Sequence, residues 1–207
     1  FVRSVCNSLK IPFYFFFIYE RREMKKDAQS VETVARTLRY EALRTVMTES
    51  GWELLATAHH QDDQAETVLW HILRGSGMTG LRGIRPRNGD LIRPFLSVNR
   101  AEIMQFLGNF PYDPCHDETN DIPDCMRNRM RLLLLPELCQ YNPNISKSLC
   151  RMAEIAGGED LYMEKEAAVF WHRCAERRGN RWRMNIADFR SVGKALQRRI
   201  IRHAFET

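Results

Sequence analysis

An apolar run that ends in a dense charged segment constrains the fold more than any other feature of the sequence. Residues 54–58 are largely apolar, residues 59–67 hold two imidazoles and three carboxylates, and residues 68–73 are apolar at helical spacing. This order predicts a buried strand of about 52–58, a short turn and a helix of about 61–74. The charged segment then lies between a strand's carboxyl end and a helix start, where open α/β sheets bind ligands.

The charged segment also has a spacing that suits a site. Asp62 and Glu66 are four residues apart and Asp63 and Glu66 are three apart, so these carboxylates share one face of a helix. His59 and His60 directly precede them. We therefore predict an active site whose catalytic candidates are Asp62, Asp63 and Glu66. The alternative is structural, because acidic residues in a first turn stabilise a helix through its dipole.

The chemistry of these side chains favours magnesium over zinc. Zinc hydrolases usually present His-x-x-x-His or cysteine-rich ligand sets, and neither occurs here. Carboxylates that bind a metal together with water and phosphate suit magnesium. The six cysteines form no Cys-x-x-Cys pair, which argues against a zinc ribbon. No secretory signal is evident, so we expect reduced thiols and a cytoplasmic location. No run reaches the roughly 18 apolar residues of a membrane span, so no membrane association is expected.

Alternating helices and strands predict an α/β fold for the first part of the chain. Helices are predicted at about 1–10, at 31–49 after a Ser30 cap and at 61–74, with strands at 12–19 and 52–58. This order favours a partial, doubly wound parallel sheet with covering helices. Two strands are too few for such a sheet. Residues 1–9 already show a helical stripe without a cap, so we expect a further segment before residue 1.

The second part is predicted to be mostly helical. Residues 75–94 are rich in Gly, Arg and Pro, which predicts a loop. The remaining elements are a helix from Ser97 to about 107, a helix from near Cys125, a helix of about 144–178 that breaks at Gly157-Gly158, a strand-like segment at 181–186 and a helix at 191–205. We place a boundary near residues 136–143, which gives a catalytic domain of 1–138 and a smaller helical domain of 139–207.

Positive charge is concentrated in the helical part. The whole chain has a formal charge of +5, from 31 Lys and Arg against 26 Asp and Glu. Ten basic residues lie between 173 and 202, opposed only by Glu176 and Asp188. They are Arg173, Arg177, Arg178, Arg181, Arg183, Arg190, Lys194, Arg198, Arg199 and Arg202. Such a segment suits phosphate binding, and a solvated basic face is an equally good interpretation.

Arginines elsewhere form two smaller groups. Arg36 and Arg39 share a helix face and could clamp a phosphate or carboxylate, because a guanidinium offers a forked set of donors. Pairing with Glu32 is the structural alternative. Arg127 and Arg131, four residues apart before an apolar run, suit a polyanion site.

The structural alternative for the second group is pairing with Asp117 or Asp121. A glycine-containing segment, Arg74-Gly75-Ser76-Gly77, follows the helix predicted at 61–74. Because it follows a helix instead of opening one, it is weak as a phosphate cradle. The end of the preceding helix explains part of the glycine content of this segment.

Taken in order, these motifs resemble the tRNA(Ile)-lysidine synthetase family of the PP-loop ATP pyrophosphatase superfamily, whose fold is adenine nucleotide α-hydrolase-like. The matching motifs are Glu32 with Ala35-Arg36-x-x-Arg39-Tyr40, Ala58-His59-His60-x-Asp62-Asp63-Gln64-Ala65-Glu66-Thr67, Leu73-Arg74-Gly75-Ser76-Gly77 with Gly80-Leu81, Arg93-Pro94-Phe95-Leu96, Asp117-x-Thr119-Asn120, Arg127-Asn128-Arg129-x-Arg131 and Leu134-Leu135-Pro136. Weaker likeness extends to Ala195-Leu196-Gln197-Arg198-Arg199.

The resemblance implies a reaction. The family uses ATP to adenylate C2 of cytidine 34 in a tRNA(Ile) with a CAU anticodon. The ε-amine of L-lysine then attacks that carbon and releases AMP, which gives lysidine. ATP and Mg²⁺ are the implied cofactors, and a homodimer is compatible with the resemblance.

The resemblance also implies roles for individual residues. Asp63 and Glu66 would bind the lysine ammonium. The other implied roles are substrate binding by Arg36, Arg39, Arg129 and Arg131, nucleotide binding by His59, His60, Arg74 and Gly75, and Mg²⁺ binding by Asp62.

One departure from the family pattern limits the expectation. The phosphate-binding loop Ser-Gly-Gly-x-Asp-Ser does not occur in these 207 residues, so we expect an amino-terminally truncated enzyme that does not bind ATP productively by itself. A further tRNA-binding domain could follow residue 207. Two alternatives stay open: a related tRNA-thiolating PP-loop enzyme, which would typically carry Cys-x-x-Cys pairs, and a non-catalytic tRNA-binding module.

Overall fold

Short strands and helices alternate in the first part of the chain, and helices dominate the rest. The computed structural model describes residues 1–17, 31–112, 114–115, 117, 121–179 and 181–206. The first elements are α1 (Val2–Leu9), α2 (Val31–Glu49), β1 (Leu55–Ala56), α3 (Gln61–Leu73), α4 (Met78–Leu81), β2 (Arg87–Asn88), β3 (Leu91–Ile92) and α5 (Arg100–Leu107). The remainder are α6 (Met126–Arg129), a π-helical turn (Met130–Leu134), α7 (Leu135–Tyr141), α8 (Ile145–Cys174), β4 (Ala175–Arg178), β5 (Arg181–Met184), α9 (Ile186–Ser191) and α10 (Lys194–Glu206).

The central sheet is small and mixed. Its order is β1-β3-β2, with β1 parallel to β3 and β2 antiparallel to β3. The α/β class is confirmed, but the strand predicted over 52–58 is paired only at Leu55–Ala56. The loop predicted over 75–94 was partly wrong, since it contains α4 and the hairpin of β2 and β3. Gly89, with φ of 62°, turns that hairpin, because glycine tolerates a left-handed backbone.

The aromatic run predicted as a strand over 12–19 is not a strand in its described portion. Residues 11–17 pair with no described strand, and residues 18–19 lie outside the described residues, as does the predicted cap Ser30. Phe15 and Phe16 are largely exposed. An apolar segment forms a strand only where a neighbouring strand supplies backbone hydrogen bonds. The hydrophobic pattern of the segment does not show whether such a neighbour exists.

The helix that carries the acidic residues agrees closely with its prediction. It spans Gln61–Leu73 and ends at Gly75, whose φ is 66°. The helix predicted from Ser97 instead begins after Asn99. The Asn99 side chain accepts from the Glu102 amide at 2.8 Å, while Glu102 accepts from the Asn99 amide at 2.9 Å. This reciprocal capping box satisfies two otherwise unpaired helix donors. The helix therefore begins after Asn99 and not at Ser97.

A continuous helical run from Met126 to Tyr141 changes its hydrogen-bonding pattern halfway. The π-helical turn Met130–Leu134 comes directly before Leu135 and Pro136. Proline lacks the amide proton that an α-helix needs and crowds the carbonyl four residues back. A wider turn relieves both problems and is often found near functional sites. The turn contains Arg131, one of the predicted site arginines.

The chain divides into two compact units, Phe1–Asp63 with Arg85–Asn128 and Gln64–Ile84 with Arg129–Thr207. Within the second unit, one apolar cluster joins Ala65, Val68 and Leu69 of α3 to Met130, Leu135, Leu149 and Ala153. A second cluster joins Ala167, Phe170 and Trp171 of α8 to Ile200 of α10. Every member of both clusters is less than 9% exposed, so burial of apolar area holds these helices together.

Helix α8 is continuous, so the predicted break at Gly157-Gly158 was wrong. Each glycine costs a helix roughly 1 kcal/mol relative to alanine, which flanking packing on α4 and α10 outweighs. A Cβ built on Gly157 would lie 3.6 Å from the Arg82 Cβ. Residues 175–178, predicted as helix, form β4. The helix predicted at 191–205 corresponds to α10, and the additional short helix α9 precedes it. None of the described helices is long and apolar enough to cross a membrane.

A buried carboxylate binds α4, α8 and α10 together in the second unit. Asp160 is fully buried and accepts hydrogen bonds from Thr79 at 3.0 Å and from Arg82 and Arg199. Arg82 also donates to Glu164 at 3.0 Å. Burial raises the pKa of Asp160, but the hydrogen bonds from Arg199 and Thr79 and the arginine charges outweigh it, so the pKa lies below its usual value. This carboxylate is charged and paired at neutral pH.

Candidate active site

The turn between β1 and α3 presents Asp63 to two donors within the first unit. The Asp63 Oδ2 accepts from the His60 amide at 2.9 Å, and its Oδ1 accepts from an Arg127 guanidinium nitrogen. The His60 Nε2 lies 3.6 Å from the same Oδ2. Asp63 is 6% exposed. The amide contact is half of a capping box, so this carboxylate also anchors the start of α3.

His59 lies in a partly buried position beside that carboxylate. Its Nδ1 is 2.9 Å from the Thr57 Oγ1, which fixes the ring at the end of β1. The pKa of His59 is lowered, chiefly by burial. Asp63 opposes the shift, while the positive charges of Arg93, Arg127 and Arg36 add to it. The ring is therefore neutral at pH 7 and can act as a hydrogen-bond donor or acceptor toward a ligand.

A pH titration by NMR is expected to find the pKa of the His59 ring below its usual value of 6.5. Because the unfolded chain then binds more protons, stability should fall as the pH falls from 6.5 through the folded-state pKa. The same ring in the urea-unfolded chain supplies the control, and a folded-state pKa at or above the unfolded one would contradict the burial argument.

Asp62 is the more accessible acid of the turn. Its side chain is 33% exposed, its Oδ2 accepts from the Arg100 amide at 3.1 Å, and the His60 Nδ1 lies 3.6 Å away. Magnesium is commonly held by one or two carboxylates, with water and phosphate supplying the other ligands. A single partly exposed carboxylate fits that role. The described residues contain no group of three or more His, Cys, Asp or Glu side chains suited to a metal ion.

Glu66 has a guanidinium partner of its own within the second unit. It is 2% exposed, and Arg131 binds it through two nitrogens, with Nε 2.6 Å from Oε1 and Nη2 3.3 Å from Oε2. Such forked pairing is geometrically specific and stronger than a neutral hydrogen bond. The π-helical turn supplies Arg131, so the sequence feature that disturbs the helix also places this cation.

The other predicted site residues are less constrained. Arg36 and Arg39 are exposed on α2, where the Arg36 guanidinium lies 5.5 Å from the Tyr40 ring centre. Arg129 is also exposed. The Arg74 guanidinium lies 5.4 Å from the centre of the Trp70 ring. Gly75 ends α3, and a Cβ there would meet nothing within 4 Å.

Two further arginines of the first unit lie near the site: Arg127, predicted above only as part of a polyanion site, and Arg93, for which no role was predicted. Arg127 binds Asp63 across 64 residues of sequence. Arg93 is 9% exposed and donates from Nη1 to the Arg85 carbonyl at 2.7 Å. Its buried Nε has no hydrogen-bond partner among the described residues. Arg93 lies in Arg93-Pro94-Phe95-Leu96, a motif used above only for the resemblance. That motif was the available signal, but its spacing does not reveal burial.

Known proteins resemble this chain over most of its length. A PP-loop domain model matches residues 1–138. The tRNA(Ile)-lysidine synthase of Caldanaerobacter subterraneus subsp. tengcongensis is 34% identical over 99% of this chain and 44% of that protein. The tRNA(Ile)-lysidine synthase of Bacteroides thetaiotaomicron is 40% identical over 72% of this chain and 35% of that protein. The chain thus spans less than half of these relatives' length.

A solved structure supports the same fold. The U34-tRNA thiolase NcsA from Methanococcus maripaludis matches 74% of this chain and 53% of that chain, with a TM-score of 0.52 and 18% sequence identity. At this identity the likeness shows the fold alone. The predicted resemblance to PP-loop proteins is confirmed by these matches.

Proposed function

The chain belongs to the PP-loop domain family, and from this premise we propose that it serves in the ATP-dependent ligation of lysine to cytidine 34 of a tRNA(Ile) with a CAU anticodon. The observation that carries the proposal is the pair of buried carboxylates, Asp63 and Glu66, on one face of α3. A primary ammonium is a chemically suitable ligand for two such carboxylates. Relatives named tRNA(Ile)-lysidine synthase align over nearly the whole chain.

In the proposed reaction, the cytidine C2 oxygen takes the adenylyl group of ATP and pyrophosphate leaves. The lysine Nε then forms a bond to C2, and AMP leaves with that oxygen. Asp63 and Glu66 orient the amine for attack, which lowers the entropic part of the barrier. A neutral His59 near Asp63 avoids adding another positive charge where the ammonium binds.

Arginines are proposed to neutralise the phosphates of this reaction. Arg36, Arg39 and Arg129 are exposed, so they are available to the tRNA or the adenylate. The buried Nε of Arg93, which has no partner within the described part of the chain, adds a donor near His59. The His59-His60 turn of the first unit is proposed to contact the nucleotide. Arg74 and Gly75 of the second unit are proposed as further nucleotide-binding residues. Mg²⁺ held by Asp62 would polarise the phosphoryl oxygens.

The basic hairpin of β4 and β5 is the proposed tRNA contact of residues 139–207. Glu176 lies opposite Arg183, and Arg178 lies opposite Arg181. Because residues opposite each other in an antiparallel pair share a face, three arginines and one glutamate lie on one side. That face carries a net positive charge suited to phosphates. A cytoplasmic location and a homodimer complete the proposal.

Transfer of labelled lysine tests this proposal. The product of the complete coding sequence that contains these 207 codons is incubated with ATP, labelled L-lysine and a tRNA(Ile) transcript with a CAU anticodon. We expect ATP-dependent label in the tRNA, and none in a matched transcript whose position 34 is uridine. Tight tRNA binding without transfer would instead favour the RNA-binding module.

A further inference from the structure

Both carboxylates proposed to receive the lysine ammonium already bind guanidinium groups. In the first unit Arg127 donates to the Asp63 Oδ1. In the second unit Arg131 holds Glu66 through two nitrogens. A guanidinium and an ammonium carry the same charge and use the same acceptor oxygens. An arriving amine therefore competes with at least one of these arginines.

The two ion pairs differ in how readily they can open. The Arg131 side chain is 24% exposed and that of Glu66 2%, and their contact is bidentate. Breaking such a desolvated pair is costly because it leaves a buried charge. The Arg127 side chain is 46% exposed where it donates to Asp63. Water can solvate Arg127 as it leaves, so this pair is the weaker one.

Asp63 keeps one of its hydrogen bonds when the amine replaces Arg127. When Arg127 leaves Oδ1, the His60 amide still donates to Oδ2 at 2.9 Å. The carboxylate therefore stays oriented at the start of α3 while its Oδ1 exchanges the guanidinium for the amine. Before the amine arrives, Arg127 balances the charge of a carboxylate that is only 6% exposed.

We propose that Arg127 is a specificity-determining residue, an internal counter-ion that the amine substrate displaces from Asp63. This inference rests on the proposed function, since it takes Asp63 as the amine-binding carboxylate. Arg127 then sets a threshold for amine affinity. A ligand must offer a cation that replaces the guanidinium at Oδ1, which a neutral side chain of similar length cannot do.

The test is the steady-state KM for L-lysine, measured with the complete product and saturating ATP and tRNA. Arg127→Gln removes the competing cation, so the KM for lysine should fall about two- to fivefold, the range of a partly exposed ion pair, with kcat changed less. Arg127→Lys keeps a competing cation and should keep the KM near that of the unaltered protein. Arg44→Gln is the matched control, because Arg44 forms an exposed pair with Asp90 at 2.9 Å.

The direction of the change decides the inference. A KM for lysine that rises or stays constant in Arg127→Gln would overturn it, because Arg127 would then support Asp63 instead of competing for it. A KM that falls equally in Arg127→Lys would overturn it too, since removal of positive charge would not be the cause. If the unaltered protein transfers no lysine, the proposed function itself fails. Thermal melting of each variant confirms that it is folded.

Discussion

Asp63→Asn is expected to lower kcat/KM for lysine about ten- to hundredfold, the value of one hydrogen bond to a charged group. Asparagine keeps the size of the side chain and can still accept from the His60 amide. It loses the negative charge that the ammonium requires. Affinity for tRNA should change less than twofold. The Asp63 carboxylate is buried and paired with Arg127, and its negative charge does not attract phosphate.

The measurement is lysine transfer at varied lysine concentration, together with tRNA binding by filter retention. Asp90→Asn is the matched control, since it also removes one aspartate charge from a pair with an arginine. An equal loss of lysine use and tRNA affinity in Asp63→Asn would count against the assignment of Asp63 to the amine.

Asp160→Asn should lower the free energy of unfolding by about 3–5 kcal/mol, the cost of removing one partner of a buried ion pair. Arg82 and Arg199 would keep their charges in a site without the balancing carboxylate. Urea denaturation measures the effect. Because the pKa of Asp160 lies below its usual value, its contribution is present above the unfolded-state pKa and is lost as pH falls through the folded-state pKa.

Glu164→Gln provides the comparison for that buried network. Glu164 shares Arg82 with Asp160, but its side chain is 38% exposed, so solvent screens its charge and the loss should be about 1 kcal/mol or less. Equal effects of the two substitutions would mean that burial of Asp160 does not set its contribution.

Local patterns predicted the elements whose ends are determined locally. Helix α3 followed from its apolar periodicity and from Gly75. The strands did not follow, because β1 is two residues long and its extent depends on β3, which lies 36 residues away in register. The glycines at 157 and 158 suggested a break that tertiary packing prevents. The helix propensity of single residues is a weak guide where tertiary packing stabilises the helix.

In the candidate site, too, the local sequence predicts some features and the folded structure determines the others. The spacing within residues 59–67 predicted a helix with Asp63 and Glu66 on one face, and α3 is that helix. Their partners were not assigned, because Arg127 and Arg131 lie 64 and 65 residues further along the chain. From the sequence alone, two arginines four residues apart could form ion pairs with any of several aspartates. Only the folded chain distinguishes among them.

Analysis of the modified nucleoside tests the central claim most directly. The product of the complete coding sequence is incubated with tRNA(Ile), ATP, lysine and a sulfur donor together, and nucleosides from position 34 are identified by mass spectrometry. We expect a cytidine joined to lysine with loss of the C2 oxygen. A thiolated nucleoside at that position, or unmodified cytidine, would contradict it.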